Sequence, residues 1–210
     1  MTSDPPAGVD WDSLAGTYPR QAWLERSSLG TALDLLDPRP HESLLDIGTG
    51  TAELLRSLAA RPDSPSDATG IDPCRRMLAQ AGPLPDRWRL IEARGEQIPF
   101  PPASFDLVTI SYVLHVVDPG TRERILSEAA RVLRPGGRIA TVTIAPPVSP
   151  VARAITAPVR WAAERYPSVF VGLRPHDPAR DLERSGFSKP VRRRDFRGYP
   201  ALCLLAVRSQ

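Results

Sequence analysis

The stretch "LLDIGTGTAELL", from Leu44 to Leu55, decides the fold. An apolar run gives way here to a helical pattern, and glycines occupy the junction at Gly48 and Gly50. Glycine lacks the side chain that keeps a ligand away from the backbone, and the N–H groups of a following helix point into the same space. The junction predicts a strand, a ligand-binding turn and a helix, although a purely structural tight turn uses glycine in the same way.

Strand-like runs alternate with helical patterns on both sides of this junction. Leading helices are predicted in "WDSLAGTYPRQAWLERSSLGTALDLL", and the best marked helix runs from about Pro119 to Leu133. Asp118 can cap that helix, and the "PGG" at 135–137 is expected to end it. The predicted strands are "SLLDIG", "ATGID", "WRLIEA", "FDLVTISYVLHVV" and "RIATVTIA". This alternation predicts an α/β fold with a parallel sheet and helices on both faces.

The last segment has a different pattern. "FSKPVRRRDFRGYPALCLLAVRSQ" contains two strand-like runs joined by "RGYP", which is too short for a helical crossover. Two such strands can pair only as an antiparallel hairpin. In the first of them Arg192 and Arg194 share a face opposite Arg193, which suits a solvated sheet edge.

Composition argues against several classes of protein. The net charge is only +3, and 24 acidic residues are scattered among the 27 basic ones, so no nucleic-acid partner is expected. No apolar run is long enough to span a membrane, and the N-terminus does not resemble a signal peptide. Cys74 and Cys203 are interpreted as free thiols, which favours a cytoplasmic location. The histidines lie far apart, so no metal site is predicted.

An acidic residue at the end of the second predicted strand narrows the choice of ligand. "ATGID" ends at Asp72, where a carboxylate can accept hydrogen bonds from ribose hydroxyls. A dinucleotide fingerprint counted from Gly48 would need Gly or Ala where Glu53 stands, and a Walker-type lysine is absent. The pattern therefore predicts a nucleoside ligand without a pyrophosphate.

Four motifs between Leu44 and Ile144 resemble, in order, those of class I S-adenosylmethionine-dependent methyltransferases. They are similar in particular to the small-molecule branch that includes the ubiquinone and menaquinone biosynthesis enzymes. The motifs are "LLDIGTGTAELL", "GIDPCRRMLAQA", "IPFPPASFDLVTISYVLHVV" and "EAARVLRPGGRIATVTI". The resemblance implies a Rossmann-like, mostly parallel seven-stranded sheet with a C-terminal antiparallel hairpin, S-adenosylmethionine as cofactor and a small-molecule methyl acceptor.

The resemblance also assigns roles to residues of this chain. The glycine turn and the aspartate before it would line the methionine part of the cofactor, Asp72 would bind the ribose hydroxyls, and Pro73 and Met77 would pack near the adenine. Ser111 would lie near the sulfonium and the acceptor. The implied cofactor-binding residues are Asp46, Gly48, Thr49, Gly50, Asp72, Pro73, Met77, Gly95, Glu96 and Ser111.

One position departs from the family pattern. Similar enzymes commonly carry Gly-Asp-Ala before "IPF", with the aspartate reaching the adenine amine, whereas Arg94 occupies that place here. Because a guanidinium cannot accept a hydrogen bond, the backbone around Gly95 or the carboxylate of Glu96 would have to replace the aspartate. This departure leaves a second interpretation open. The chain would then have the methyltransferase fold without transferring methyl groups, as either a ligand-binding module or a cofactor-independent cyclase.

Methyl transfer requires an acceptor held in line more than it requires acid–base groups, although a base helps when the acceptor is a phenol or an enol. His115, four residues after Ser111, is the candidate base, and a packed histidine is the alternative interpretation. Aromatic residues outside the core motifs are candidates for the acceptor pocket, with ordinary core packing as the alternative for each. They are Tyr18, Trp23, Trp161, Tyr166 and Phe170.

The leading hypothesis is a cytoplasmic methyltransferase that acts on an aromatic, quinone-like or polyketide-like small molecule. Methylation of RNA would need a basic face that the sequence does not show. A single domain is expected over 1–210, and the sequence leaves its oligomeric state open. It would comprise leading helices or a lid (1–40), a cofactor-binding core (41–145), a substrate-side insertion (146–180) and the C-terminal hairpin (181–210).

Overall fold

The computed structural model describes residues 22–149, 174–198 and 200–209, together with positions 154, 157, 158 and 161. Its helices are α1 (Ala22–Leu36), α2 (Glu53–Ala59), α3 (Arg75–Leu78), α4 (Pro119–Val132) and α5 (Ala179–Arg184). Its strands are β1 (Ser43–Ile47), β2 (Asp67–Asp72), β3 (Arg89–Glu92), β4 (Phe105–Ser111), β5 (Leu133–Ile144), β6 (Val191–Asp195) and β7 (Ala201–Val207).

All seven of these strands form one sheet in the order β3-β2-β1-β4-β5-β7-β6. The first five are parallel, while β7 pairs antiparallel with both β5 and β6. The predicted fold class, including the C-terminal hairpin, is confirmed. Strand order reverses between β1 and β4, and in open parallel sheets this reversal point marks the crevice where ligands bind.

Side-chain alternation along the strands gives the sheet two apolar faces. In β1, Leu45 and Ile47 belong to a cluster with the residues of α4 and α5, whereas Leu44 belongs to a cluster with those of α1 and α2. Asp46 has the same alternation as Leu44, so it points to the side that α1 and α2 cover. The helices therefore bury both faces and leave the carboxyl edge of the parallel strands to form the site.

The best marked helix begins as predicted and ends at Val132, one residue before the predicted Leu133. The backbone N–H of Thr121 donates to Oδ1 of Asp118 at 3.0 Å, which caps α4, and Pro119 occupies the first turn. The expectation that "PGG" ends this helix is wrong, because Leu133 is already extended and pairs with Phe105. The next paired residue of β5 is Arg138, opposite Leu107, so the glycines lie in an irregular stretch at the start of β5.

Two other boundaries differ from the sequence pattern. The run "FDLVTISYVLHVV" is a strand only as far as Ser111, because the next residue, Tyr112, has a φ of 60°. An extended strand cannot continue through that left-handed conformation. The helical pattern "RRMLAQAG" after β2 forms only a single turn, α3.

A buried carboxylate ties α1 to the C-terminal hairpin. Asp195 is 4% exposed, and its Oδ2 accepts hydrogen bonds from Ser27 Oγ at 2.7 Å and Thr31 Oγ1 at 2.8 Å. Nη2 of Arg197 donates to the same Oδ2 at 3.0 Å, and the backbone N–H of Arg197 donates to Oδ1 at 2.8 Å. Although burial opposes it, these donors hold the pKa of Asp195 well below its usual range.

Candidate functional site

The turn between β1 and α2 has a backbone that only glycine adopts easily. Gly48 and Gly50 have φ angles of 72° and 54°. A Cβ on Gly48 would lie 2.3 Å from Cγ2 of Val113, in the loop after β4. The N–H groups of Gly48 and Thr49 both donate to the carbonyl of Ile71, at 2.8 and 3.0 Å. The turn is thus packed between the ends of β2 and β4.

Asp72, at the end of β2, closes this turn from the other side. Its Oδ2 accepts the N–H of Gly50 at 2.9 Å, and its Oδ1 accepts the N–H of Cys74 at 2.8 Å. Burial raises the pKa of Asp72, although these two hydrogen bonds oppose the shift. Each carboxylate oxygen can accept about two hydrogen bonds, so one position on each remains for hydroxyls of a ligand.

Asp46 lies between β2 and β4, opposite Gly70 on one side and Thr109 on the other. It is 2% exposed, and Oγ1 of Thr109 donates to its Oδ1 at 2.7 Å. Burial raises the pKa of Asp46 to about 6, and the negative charge of Asp72 acts in the same direction against the hydrogen bonds. A carboxyl group with this pKa changes its charge near neutrality.

Ser111 provides an independent test of whether a ligand fits here. Its Oγ is buried at the end of β4 and has no hydrogen-bond partner among the described residues. Buried polar atoms are nearly always paired in folded proteins, because an unpaired one costs about 1–3 kcal/mol. A polar ligand at this edge would give the hydroxyl a partner, so these residues fit a cofactor with amino, carboxylate and hydroxyl groups.

The residues predicted to surround the adenine have different surroundings in the structure. Met77 is buried, and its Cε lies 3.4 Å from the position that a Cβ on Gly50 would occupy. Gly95 packs directly on the core, because an added Cβ would lie 2.8 Å from Cγ2 of Ile47. Nε of Arg94 donates to Oε1 of Glu96 at 2.9 Å, so the unexpected arginine holds the carboxylate proposed to replace the missing aspartate. Pro73 is exposed.

The loop after β4 carries His115, the candidate base. His115 is 3% exposed, and its ring meets that of Tyr112 edge-on, with centroids 5.9 Å apart. Tyr112 in turn shares a hydrogen bond of 2.7 Å with Ser28 of α1, and burial raises the pKa of its phenol. No sequence motif pointed to Tyr112, whose φ of 60° is unusual for a residue other than glycine.

The predicted pocket aromatics are only partly described. Trp23 and Trp161 are each 64% exposed, so the alternative that they pack in the core is wrong. Tyr18, Tyr166 and Phe170 lie outside the described residues. Within the described part of the chain, no three His, Cys, Asp or Glu side chains are grouped to hold a metal ion. No helix of that part is both long and apolar enough to cross a bilayer.

This sheet order, the glycine turn and the aspartate at the end of β2 are those of a Rossmann-like fold with a crevice at the reversal of strand order, as the resemblance to class I S-adenosylmethionine-dependent methyltransferases implies. Residues 45–141 match the family model described as "Methyltransferase domain". The ubiquinone/menaquinone biosynthesis C-methyltransferase UbiE of Geotalea daltonii is 34% identical over 131 residues, which cover 59% of this chain and 54% of UbiE. The chain spans about half the length of the UbiE relatives that it matches.

Solved structures share the fold at low identity. A chain from the Haloferax volcanii complex of the Trm112 methyltransferase activator with a methyltransferase has a TM-score of 0.75 at 16% identity, covering 97% of this chain and all of that one. Human N-acetylserotonin methyltransferase in complex with S-adenosylmethionine has a TM-score of 0.68 at 17% identity, covering 98% of this chain and 61% of that chain. The [4+2]-cyclase SpnF has a TM-score of 0.66 at 17% identity, covering 88% of this chain and 80% of the SpnF chain.

Proposed function

We propose that the protein transfers the methyl group of S-adenosylmethionine to a small molecule with an aromatic, quinone-like or polyketide-like skeleton. The observation that carries the proposal is a set of polar side chains at the carboxyl ends of three adjacent strands. Asp72 uses one acceptor position on each of its carboxylate oxygens. Asp46 is buried on β1, the strand beside β2. Ser111 Oγ, at the end of β4, lacks a hydrogen-bond partner within the described residues. Together they form a polar surface beside a close-packed glycine turn.

When bound, S-adenosylmethionine supplies a methyl group that is already electrophilic. The chain's own contribution is therefore to bind and orient. Asp72 would accept the two ribose hydroxyls, and the backbone of Gly48–Gly50 with Asp46 would hold the methionine end. Thr49, Pro73, Met77 and Gly95 would complete the cofactor surface, with Glu96 held in place by Arg94.

The small-molecule acceptor is supported by charge and by the relatives. The net charge of +3 is carried by arginines spread among acidic residues, several of them in ion pairs, which does not resemble a nucleic-acid footprint. The name of UbiE points to a quinone-like skeleton. Cys74 and Cys203 are buried and form no disulfide within the described residues, in keeping with the proposed cytoplasmic location. Trp23 and Trp161 remain candidates for acceptor contacts through their exposed rings.

A second candidate is a protein of this fold that binds a ligand, or catalyses a cyclisation, without methyl transfer. The observation that favours it is the Arg94–Glu96 pair, which leaves Glu96 less free to accept from an adenine amine. The fold is compatible with this candidate, since a cyclase shares it.

Calorimetry followed by product analysis separates the two candidates. We expect micromolar binding of both S-adenosylmethionine and S-adenosylhomocysteine, because the site contacts parts that both ligands share. Incubation with S-adenosylmethionine and a panel of phenols and hydroquinones should then yield methylated products by mass spectrometry. Binding without any product would favour the second candidate, and no binding at millimolar concentration would remove the cofactor assignment.

A further inference from the structure

A second histidine lies at the same edge of the sheet, outside the residues assigned above. The backbone N–H of His176 donates to the carbonyl of Ile144, the last residue of β5, at 3.0 Å. Its own carbonyl accepts from Oγ1 of Thr143 at 2.8 Å. In the register of β4 and β5, Ser111 is opposite Val142, so His176 lies just beyond the neighbouring strand end. This is the half of the edge away from β1 and β2, where the cofactor residues are.

The His176 imidazole is held by a carboxylate that is itself anchored. Its Nε2 lies 2.7 Å from Oδ2 of Asp181 on α5. The same Oδ2 is 3.6 Å from Nη1 of Arg122 on α4. Nε of Arg122 donates to the carbonyl of Leu114 at 2.7 Å and Nη2 to that of Val117 at 3.2 Å, so this arginine also fixes the loop that leaves β4. A base oriented by a third group is the arrangement that acid–base sites use.

We propose that His176, oriented by Asp181, takes the proton from the hydroxyl of a phenolic or enolic acceptor, a role that rests on the methyl transfer proposed above. Because Asp181 accepts the proton of Nε2, Nδ1 keeps its lone pair and receives the acceptor's proton, which then passes to water. The oxygen keeps the electron pair that forms the new carbon–oxygen bond, and the pair of the broken carbon–sulfur bond stays on sulfur.

Exposure and charge suit this role. The His176 side chain is 25% exposed, whereas His115 is almost fully buried, so an acceptor reaches His176 more easily. Burial lowers the pKa of His176, the charge of Arg122 acts in the same direction, and the carboxylates of Asp181 and Asp177 oppose them. Asp177 also pairs with Arg192 of β6 at 2.5 Å. With its pKa below the usual value, the imidazole is neutral at pH 7 and can accept a proton.

The test uses 4-nitrophenol, whose phenolate absorbs visible light, added to protein saturated with S-adenosylhomocysteine. At a pH below the pKa of the free phenol, we expect the protein to generate phenolate absorbance. His176→Asn should abolish this signal while leaving S-adenosylhomocysteine affinity within about threefold. His41→Asn is the matched control, because this exposed histidine precedes β1 at the opposite edge of the sheet. Asp181→Asn should lower the pKa of His176 in an NMR titration, because the carboxylate that raises it is removed.

The outcomes separate this inference from the proposed function. If the parent protein does not bind S-adenosylhomocysteine, the proposed function fails. If it binds the cofactor product but millimolar nitrophenol gives no phenolate signal, or His176→Asn keeps the signal, only the role of His176 is overturned. Loss of the signal in His115→Asn and not in His176→Asn would assign the base to His115 instead. With an acceptor from the methylation panel, His176→Asn should lower turnover by roughly 10²–10⁴.

Discussion

Two regions of this protein are built around buried carboxylates, and they use them in opposite ways. At the junction of α1 and the hairpin, Asp195 accepts hydrogen bonds from Ser27, Thr31 and Arg197, with several donors on one oxygen. At the carboxyl edge, Asp72 accepts one backbone N–H on each oxygen from the described residues. The first carboxylate is saturated by the protein and holds two elements together, whereas the second has capacity that a ligand can use.

The pKa directions reflect the same contrast. Asp46 at the edge and Asp195 at the junction are both almost fully buried, yet the pKa of Asp46 rises to about 6 and that of Asp195 falls. Burial raises the pKa of both, so the number and charge of the donors decide the outcome. A buried carboxylate therefore indicates a ligand site only when its donors are too few to satisfy it.

Asp72→Ala is expected to have the largest effect on binding. Two charge-assisted hydrogen bonds to ribose hydroxyls, each about 1.5–3 kcal/mol, predict a loss of cofactor affinity of roughly 10²–10⁴ in calorimetry. Asp67→Ala is the matched control, because Asp67 begins the same strand at the opposite edge and has only a long 3.9 Å contact with Arg89. Unchanged affinity in a folded Asp72→Ala variant would make Asp72 a structural strand-end residue.

Asp195→Ala should have the reverse profile. It leaves the hydroxyls of Thr31 and Ser27 without their acceptor, whereas the guanidinium of Arg197 is 75% exposed and can turn to water, so we expect a loss of about 2–3 kcal/mol in the free energy of urea unfolding. Asp34→Ala, which breaks an exposed ion pair between α1 and Arg61, should cost less than about 1 kcal/mol. Affinity for S-adenosylhomocysteine should stay within about threefold for the folded fraction of both variants. A smaller stability loss for Asp195→Ala than for Asp34→Ala would contradict the structural assignment.

The two carboxylates should also give opposite pH dependences. The lowered pKa of Asp195 stabilises the fold above about pH 4, and this contribution is lost as the pH falls through the native pKa. Native Asp46 keeps its proton up to about pH 6, whereas the unfolded chain loses it near pH 4. The free energy of unfolding therefore decreases as the pH rises from about 4 to 6.

Asp46→Asn tests this sign directly. The amide cannot ionise and can still accept from Thr109, so we expect the variant to gain about 2–3 kcal/mol over the parent at pH 7 and almost nothing at pH 4. Urea unfolding at both pH values provides the measurement. Parallel curves for parent and variant would show that Asp46 does not titrate in this range.

Ser111→Ala should give the smallest change. Removing the unpartnered hydroxyl should leave the protein without ligand equally stable or about 1 kcal/mol more stable. The stabilisation by saturating S-adenosylhomocysteine, measured as a thermal shift, should decrease. Thr141→Ala is the comparison, since its Oγ1 is likewise buried and unpartnered but lies within β5. If S-adenosylhomocysteine produced the same thermal shift in both variants, Ser111 would not be part of the cofactor site.

Local sequence patterns predicted the glycine turn and the carboxylate at the strand end, because these residues follow strands within short motifs. Gly48, Gly50 and Asp72 come from two strand ends, and their spacing implies the turn and its acceptor before any contact is known. Tyr112 and His176 could not be found in this way. Tyr112 combines a left-handed backbone with a hydrogen bond to Ser28 of α1, and His176 reaches the sheet edge through backbone hydrogen bonds to Thr143 and Ile144, more than 30 residues earlier in the chain.

The α1–hairpin junction also sets the order in which the molecule can be completed during synthesis. Ser27 and Asp195 are 168 residues apart, so at about 5–20 residues per second roughly 8–34 s of translation separate them. β5 ends at Ile144 and β7 begins at Ala201, 57 residues later, so at the same rate β5 remains an open edge for roughly 3–11 s. The nascent chain is therefore exposed to edge-to-edge association until the hairpin emerges, and a chaperone that shields one sheet edge would have most effect in this window.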